Sequence, residues 1–159
     1  MKIGIIVYSQ TGNTLSVATK LKESLSAAGH SPILEQVKVA GGRKPGARDF
    51  KLETLPRAEP YDVLLFGAAV QGFALSPVMT SYLERIPSLK DKKVACLITQ
   101  GFPYPWLGGN RAVRQMRRIC ESKGATVSGS GVVNWMGSRR EERIAEVVDR
   151  LAKLLAPLA

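Results

Sequence analysis

Histidine is nearly absent from this 159-residue chain. There is one, His30, and there are only two cysteines, Cys96 and Cys120, in no Cys-x-x-Cys pair or Cys/His cluster. Little is left from which to build a metal centre or a redox dithiol. Nor can a Ser/His/Asp, Cys/His or paired-carboxylate constellation be assembled, because His30 follows Gly29 in a turn, where an exposed loop histidine is the expected state. Cys96 lies in an apolar run and Cys120 on the apolar side of a helical pattern, so both read as buried thiols, with an oxidation-sensitive pair as the alternative. Acid is scarce as well: 13 Asp and Glu stand against 23 Lys and Arg, a net charge of +10. A field of that sign favours anionic partners, whether nucleic acid, an acidic protein or a phosphorylated cofactor. Long hydrophobic runs are missing, and the chain enters a strand at once with no charged leader or cleavage site. The expectation is a cytoplasmic, non-membrane protein whose residues 1–159 make one domain.

What is present is a regular alternation. An apolar run from Ile3 to Tyr8 reads as a buried strand. Val17, Ala18, Leu21, Leu25 and Ala28 then recur at helical spacing, so a helix is expected from about Asn13 to Ala28, stopped by Gly29. Ile33 to Val39 reads as an outer strand. Gly41 to Pro60, rich in Gly, Pro and charge, is expected to be a short helix or an irregular excursion holding Phe50, Leu52 and Leu55 inward; its cations Arg43, Lys44, Arg48 and Lys51 read as solvated. Asp62 to Phe66 is a third strand ended by Gly67. The loop Ala68 to Leu75 follows, and Ser76-Pro77 is a helix start with serine as cap and proline at the first position. Val94 to Ile98 is a fourth strand, followed by the loop Thr99 to Gly109. The next helix has Ala112, Val113, Met116, Ile119 and Cys120 inside and Arg111, Arg114 and Arg118 outside. Thr126 to Val133 is a fifth strand, and Ile144, Val147, Val148, Leu151, Leu154 and Leu155 mark the last helix. Strand and helix alternate throughout, which indicates an α/β fold with a doubly wound parallel sheet of five strands covered on both faces.

The turn between the first strand and the first helix is Ser9-Gln10-Thr11-Gly12-Asn13-Thr14. Free amides at a helix N-terminus, the positive end of its dipole and three hydroxyls form an anion site suited to a phosphate monoester, with Gly12 allowing close backbone approach. The alternative is an ordinary connection in which Thr11 or Asn13 caps the helix. The turn has no Lys or Arg, and neither Gly-x4-Gly-Lys-Ser/Thr nor Gly-x-Gly-x-x-Gly occurs there, so nucleoside-triphosphate and dinucleotide loops are excluded.

Ser-x-Thr-Gly-x-Thr directly after the first strand resembles the FMN-phosphate loop of the flavodoxin family, and the resemblance extends over essentially the whole chain as a short-chain flavodoxin-like protein. It implies strand order 2-1-3-4-5, with the ligand at the carboxyl ends of the strands where that order reverses. It also implies FMN as cofactor. Ser9, Thr11, Gly12 and Thr14 match the phosphate turn, with Gln10 and Asn13 as amide donors. Ala69, Val70, Gln71, Gly72 and Phe73, and Thr99, Gln100, Gly101 and Phe102, occupy the two loops that bracket the isoalloxazine ring. Aromatics make up only 6% of the chain, so the cluster of Phe73, Phe102, Tyr104 and Trp106 in these loops stands out as a set of stacking faces.

The chain departs from electron-carrier flavodoxins, which resemble one another in having acidic loops around the flavin. Neither loop here has an Asp or Glu. Negative charge disfavours an anionic reduced flavin, so its absence makes the flavin easier to reduce. The expected function is an FMN-binding oxidoreductase or electron-transfer protein, monomeric or homodimeric. Its redox partner is a protein, an acidic one such as a ferredoxin, or NAD(P)H, the latter making it an NAD(P)H-dependent FMN or quinone reductase. Arg111, Arg114, Arg117 and Arg118 are placed to serve either. A basic flavodoxin-fold module for nucleic acid or an acidic protein is the competing class, disfavoured for nucleic acid because no recognition motif accompanies the arginines. A response-regulator-like domain is excluded because Tyr8-Ser9-Gln10 stands where its acidic pocket would be.

Overall fold

A computed structural model describes residues 1–41, 50–102, 104 and 106–156. The elements run β1 (Ile3–Val7), α1 (Asn13–Ala27), β2 (Ile33–Gln36), β3 (Lys38–Val39), β4 (Leu52–Thr54), β5 (Val63–Gln71), β6 (Ala74–Leu75), α2 (Pro77–Glu84), β7 (Lys93–Gln100), α3 (Gly109–Ser122), β8 (Thr126–Asn134) and α4 (Arg140–Leu155). The main sheet has the order β2-β1-β5-β7-β8, all neighbours parallel. This is the expected doubly wound 2-1-3-4-5 arrangement.

Period-two alternation divides the core. Ile6, Leu64, Phe66, Val94, Cys96 and Ile98 face the side covered by α2 and α3. Ile3, Ile5, Val7, Leu65, Ala95 and Leu97 face the side covered by α1 and α4. Both faces of the central strands are dry, which explains their continuous apolar runs. Cys96 and Cys120 are free and buried. Burial pushes both thiols up, Cys120 to about 12.

Three expectations are corrected. The strand beginning at Val63 does not stop at Gly67; it continues to Gln71, turns through Gly72 and Phe73, both with positive φ (60° and 61°), and returns as β6. The segment after β2 supplies no helix among its described residues: β3 pairs antiparallel with β4. Leu52 is buried and Phe50 packs on the core, but Leu55 is exposed. Arg43, Lys44 and Arg48 lie outside the described residues. Ser76 precedes α2 as expected, yet its side chain makes no capping bond and its buried Oγ has no partner among the described residues. That helix start rests on Pro77 and on the Ser76 carbonyl, which accepts from the Thr80 amide at 3.0 Å.

Candidate functional site

Parallel strands end at a common edge, and where the order reverses between β1 and β5 the connections leave toward opposite faces, opening a crevice. There the chain forms a cleft of about 170 Å³. Ser9, Gln10, Thr11, Asn13 and Thr14 line it from the first loop, Ala69, Val70 and Gln71 from the end of β5, and Thr99, Gln100 and Gly101 from the end of β7. The three segments singled out in the sequence thus meet in one place. Thr99 and Gln100 belong to β7 itself rather than to the loop after it. A larger, apolar pocket of about 350 Å³ lies elsewhere, between Leu55–Glu59 and Tyr82–Ser88.

The geometry of the first turn follows from its hydroxyls. Gly12 is the residue before α1 and has φ 95°, a left-handed conformation that a side chain would strain. Neither Thr11 nor Asn13 caps the helix. Ser9 does so from further back: its Oγ accepts from the Gly12 amide at 3.1 Å and the Leu15 amide at 3.2 Å. With its lone pairs so used, the Ser9 hydroxyl proton is left to donate. The Thr11, Asn13 and Thr14 amides have no acceptor among the described residues, as the first turn of a helix dictates. Thr11 is exposed, whereas Thr14 is buried with its Oγ1 2.7 Å from Thr99 Oγ1. One of these two hydroxyls donates to the other, so the pair keeps one proton for a further acceptor.

The second and third segments are fixed by amides. Gln71 Nε2 donates to Gln10 Oε1 at 2.8 Å, joining two loops across the cleft. Gln115 Oε1 of α3 accepts from the Leu75 amide at 2.8 Å and pins the β5–β6 hairpin to that helix. The buried Gln100 side chain gathers the third loop. Its Nε2 donates to the Phe102 and Tyr104 carbonyls and to Asn134 Oδ1, while its Oε1 has no partner among the described residues. No motif or spacing pointed to Gln115 or Asn134, although Asn134 ends β8, the strand next to β7, where strand-end reasoning would look.

Gly12, Gly72, Phe73, Phe102 and Trp106 stand at the margin rather than among the lining residues. Phe73 and Phe102 stack on each other, centroids 5.5 Å apart and planes 7° from parallel, and Tyr104 meets Trp106 edge-on at 4.4 Å. A flat ring between two others needs about 7 Å, twice a carbon contact distance. The Phe73–Phe102 pair therefore has no slot in this arrangement and stands as one stacked unit at the rim. All four aromatics are about half exposed.

Among the described residues, no acidic side chain lines the cleft. Among the described residues no group of three or more His, Cys, Asp or Glu could hold a metal, and no helix is long and apolar enough to cross a membrane. Hydroxyls and open amides at a helix start, without cations, form a donor set that fits a phosphate monoester, and the uncharged walls beyond it fit a flat heteroaromatic body.

No protein-family model matches the chain. Its sequence is 27% identical over 143 residues to the flavodoxin of Megasphaera elsdenii, covering 88% of this chain and 91% of that protein. Its fold is similar to oxidised flavodoxin 2 from Bacillus cereus, with TM-score 0.70 and 24% identity over 98% of this chain and 97% of that one. It is also similar to a flavoprotein from Lactobacillus acidophilus solved in complex with FMN, with TM-score 0.61 and 16% identity over 92% of this chain and 97% of that one. From its first strand to its last helix, the chain is similar in sequence to a flavodoxin and has the flavodoxin-like fold and strand order.

Proposed function

We propose that this protein is an FMN-binding oxidoreductase or electron-transfer protein, working in the cytoplasm as a single domain, which holds the FMN phosphate in the Ser9–Thr14 turn. The observation that carries this reading is the meeting of a cation-free hydroxyl-and-amide turn with the ends of β5 and β7 in one cleft. Bound FMN would supply one- or two-electron transfer at that edge of the sheet. The Thr11, Asn13 and Thr14 amides and the Ser9 and Thr11 hydroxyls would donate to phosphate oxygens. The Thr14–Thr99 contact would keep the turn in register with β7. Ala69 to Phe73 and Thr99 to Phe102 would bracket the ring and limit its access to water.

A clean test is the visible spectrum of the purified protein titrated with FMN. Binding should shift or quench the flavin bands. Thr11→Ala, which removes an exposed hydroxyl, should weaken binding about ten- to a hundredfold, the usual loss for one hydrogen bond to a charged group. No binding at micromolar FMN would overturn the proposal. A second reading, an NAD(P)H-dependent FMN or quinone reductase, is favoured by the absence of acid among the described residues lining the cleft, which leaves the flavin easy to reduce. Steady oxidation of NAD(P)H by the flavin-loaded protein alone would select it over the carrier.

A further inference from the structure

We infer that the aromatic rim of the cleft and the arginine stripe on α3 form one docking surface for a small acidic electron-transfer protein. This deepens the functional reading above and rests on it. The rim consists of Phe73, Phe102, Tyr104 and Trp106, between 47% and 57% exposed. Four large aromatics left half in water at the mouth of a cleft form an apolar patch of the kind that marks an interaction site. The rim and α3 are in contact. A Cβ placed on Gly108, the residue before the helix, would lie 2.9 Å from Phe73 Cα, and Gln115 of the helix accepts from Leu75 N of the hairpin that presents Phe73.

From the rim, Arg111, Arg114 and Arg118 follow at i, i+3 and i+7 along the exposed side of α3. Seven residues at 1.5 Å each make a stripe about 10 Å long. None of the three has an ion pair among the described residues, whereas Arg117 on the same helix pairs with Glu121 at 2.7 Å. The arginines at the start of α4 are likewise paired, Arg139 with Glu142, Arg140 with Glu141 and Arg143 with Glu146. Like charges at i+3 and i+4 repel, so helix stability does not account for the stripe. Arginine beside aromatics is the residue mix of interface hot spots, and its planar fork matches carboxylates in pairs. The occupant that fits is a protein whose carboxylates flank an apolar contact. A single-stranded nucleic acid stacks successive bases on separate rings, but here Phe73 and Phe102 each spend one face on the other and Tyr104 abuts Trp106 edge-on.

The experiment uses the flavin-loaded protein and an acidic [2Fe–2S] ferredoxin as probe, with association rates measured at low and high salt. Two charge-matched triple variants are compared: Arg111→Glu, Arg114→Glu, Arg118→Glu on the stripe, and Lys22→Glu, Lys38→Glu, Lys51→Glu away from it. FMN titration of each variant is the parallel readout. The stripe variant should lose about tenfold or more in association rate at low salt, and the control about twofold or less, with FMN affinity unchanged in both. Equal losses in the two variants, or no ferredoxin binding by protein that retains its flavin spectrum, would overturn the inference. Tighter salt-dependent binding of poly(U) through the same arginines would overturn it in favour of nucleic acid. Failure to take up FMN at all would instead remove the functional reading beneath it.

Discussion

Replacing Thr14 by valine keeps the shape of the side chain and deletes one oxygen. Thr14 and Thr99 are separated by 85 positions, both are buried, and their hydroxyls lie 2.7 Å apart. Valine at 14 leaves the Thr99 hydroxyl buried without its partner, which costs about 1–3 kcal/mol, and Thr99→Val does the same to Thr14. When both are valine no unsatisfied oxygen remains, so the double variant should recover most of the loss instead of adding the two. Urea unfolding reads this directly. With a slope of about 2 kcal/mol per molar, each single variant should unfold about 1 M earlier in urea, while the double variant returns close to the parent. FMN affinity should not follow stability. The proton that the pair keeps for a third acceptor is gone once both hydroxyls are, so the double variant should remain weak in FMN binding although its stability is restored. Single variants with the parental midpoint, or a double variant destabilised by the sum of the singles, would refute the reasoning.

Gly108→Ala should lower stability by about 1–3 kcal/mol in the same assay, because the position has φ 112° and the added methyl would sit 2.8 Å from Val70 Cγ1 and 2.9 Å from Phe73 Cα. Tyr61 is pushed up to about 12, first by burial and then by its hydrogen bond to Glu35 at 2.6 Å. Its folded-state value lies above the unfolded value of about 10, so its contribution is intact below pH 10 and is lost as pH rises toward 12. Stability measured over that window should fall in the parent and fall less steeply in Tyr61→Phe. Cys96 and Cys120, buried and with their thiols held protonated, should react with a thiol reagent only after denaturation; rapid labelling of the native protein would contradict the structure.

The sheet and its order were legible because the central strands are dry on both faces, and a run such as Ile3 to Val7 then leaves little room for another reading. Gly67 misled for a physical reason. A glycine after an apolar run signals a stop, but here it sits mid-strand because a Cβ would come within 2.9 Å of Val7 Cγ1 and 3.3 Å of Thr14 Cγ2. It makes room for the turn it faces, and a packing requirement set by residues some sixty positions away leaves no local trace. The β3–β4 ladder was hidden because strands of two and three residues are too short to show a period. At the cleft, residue types identified which loops meet, but not how their hydroxyls divide the work. That Ser9 serves the helix amides, and that Thr14 turns inward to Thr99, depends on backbone geometry that spacing does not encode.

The hairpin of β5 and β6 gives the cleft a kinetic character. Its arms are laddered at Val70–Leu75 and Gln71–Ala74, and its return strand is tied to α3 through Gln115. Segments that order only around a ligand give up chain entropy at each encounter. This one is already in place, so arrival should require little beyond side-chain adjustment of the stacked Phe73–Phe102 pair at the rim. Differences between ligands should then appear chiefly in how long each stays bound rather than in how fast it enters.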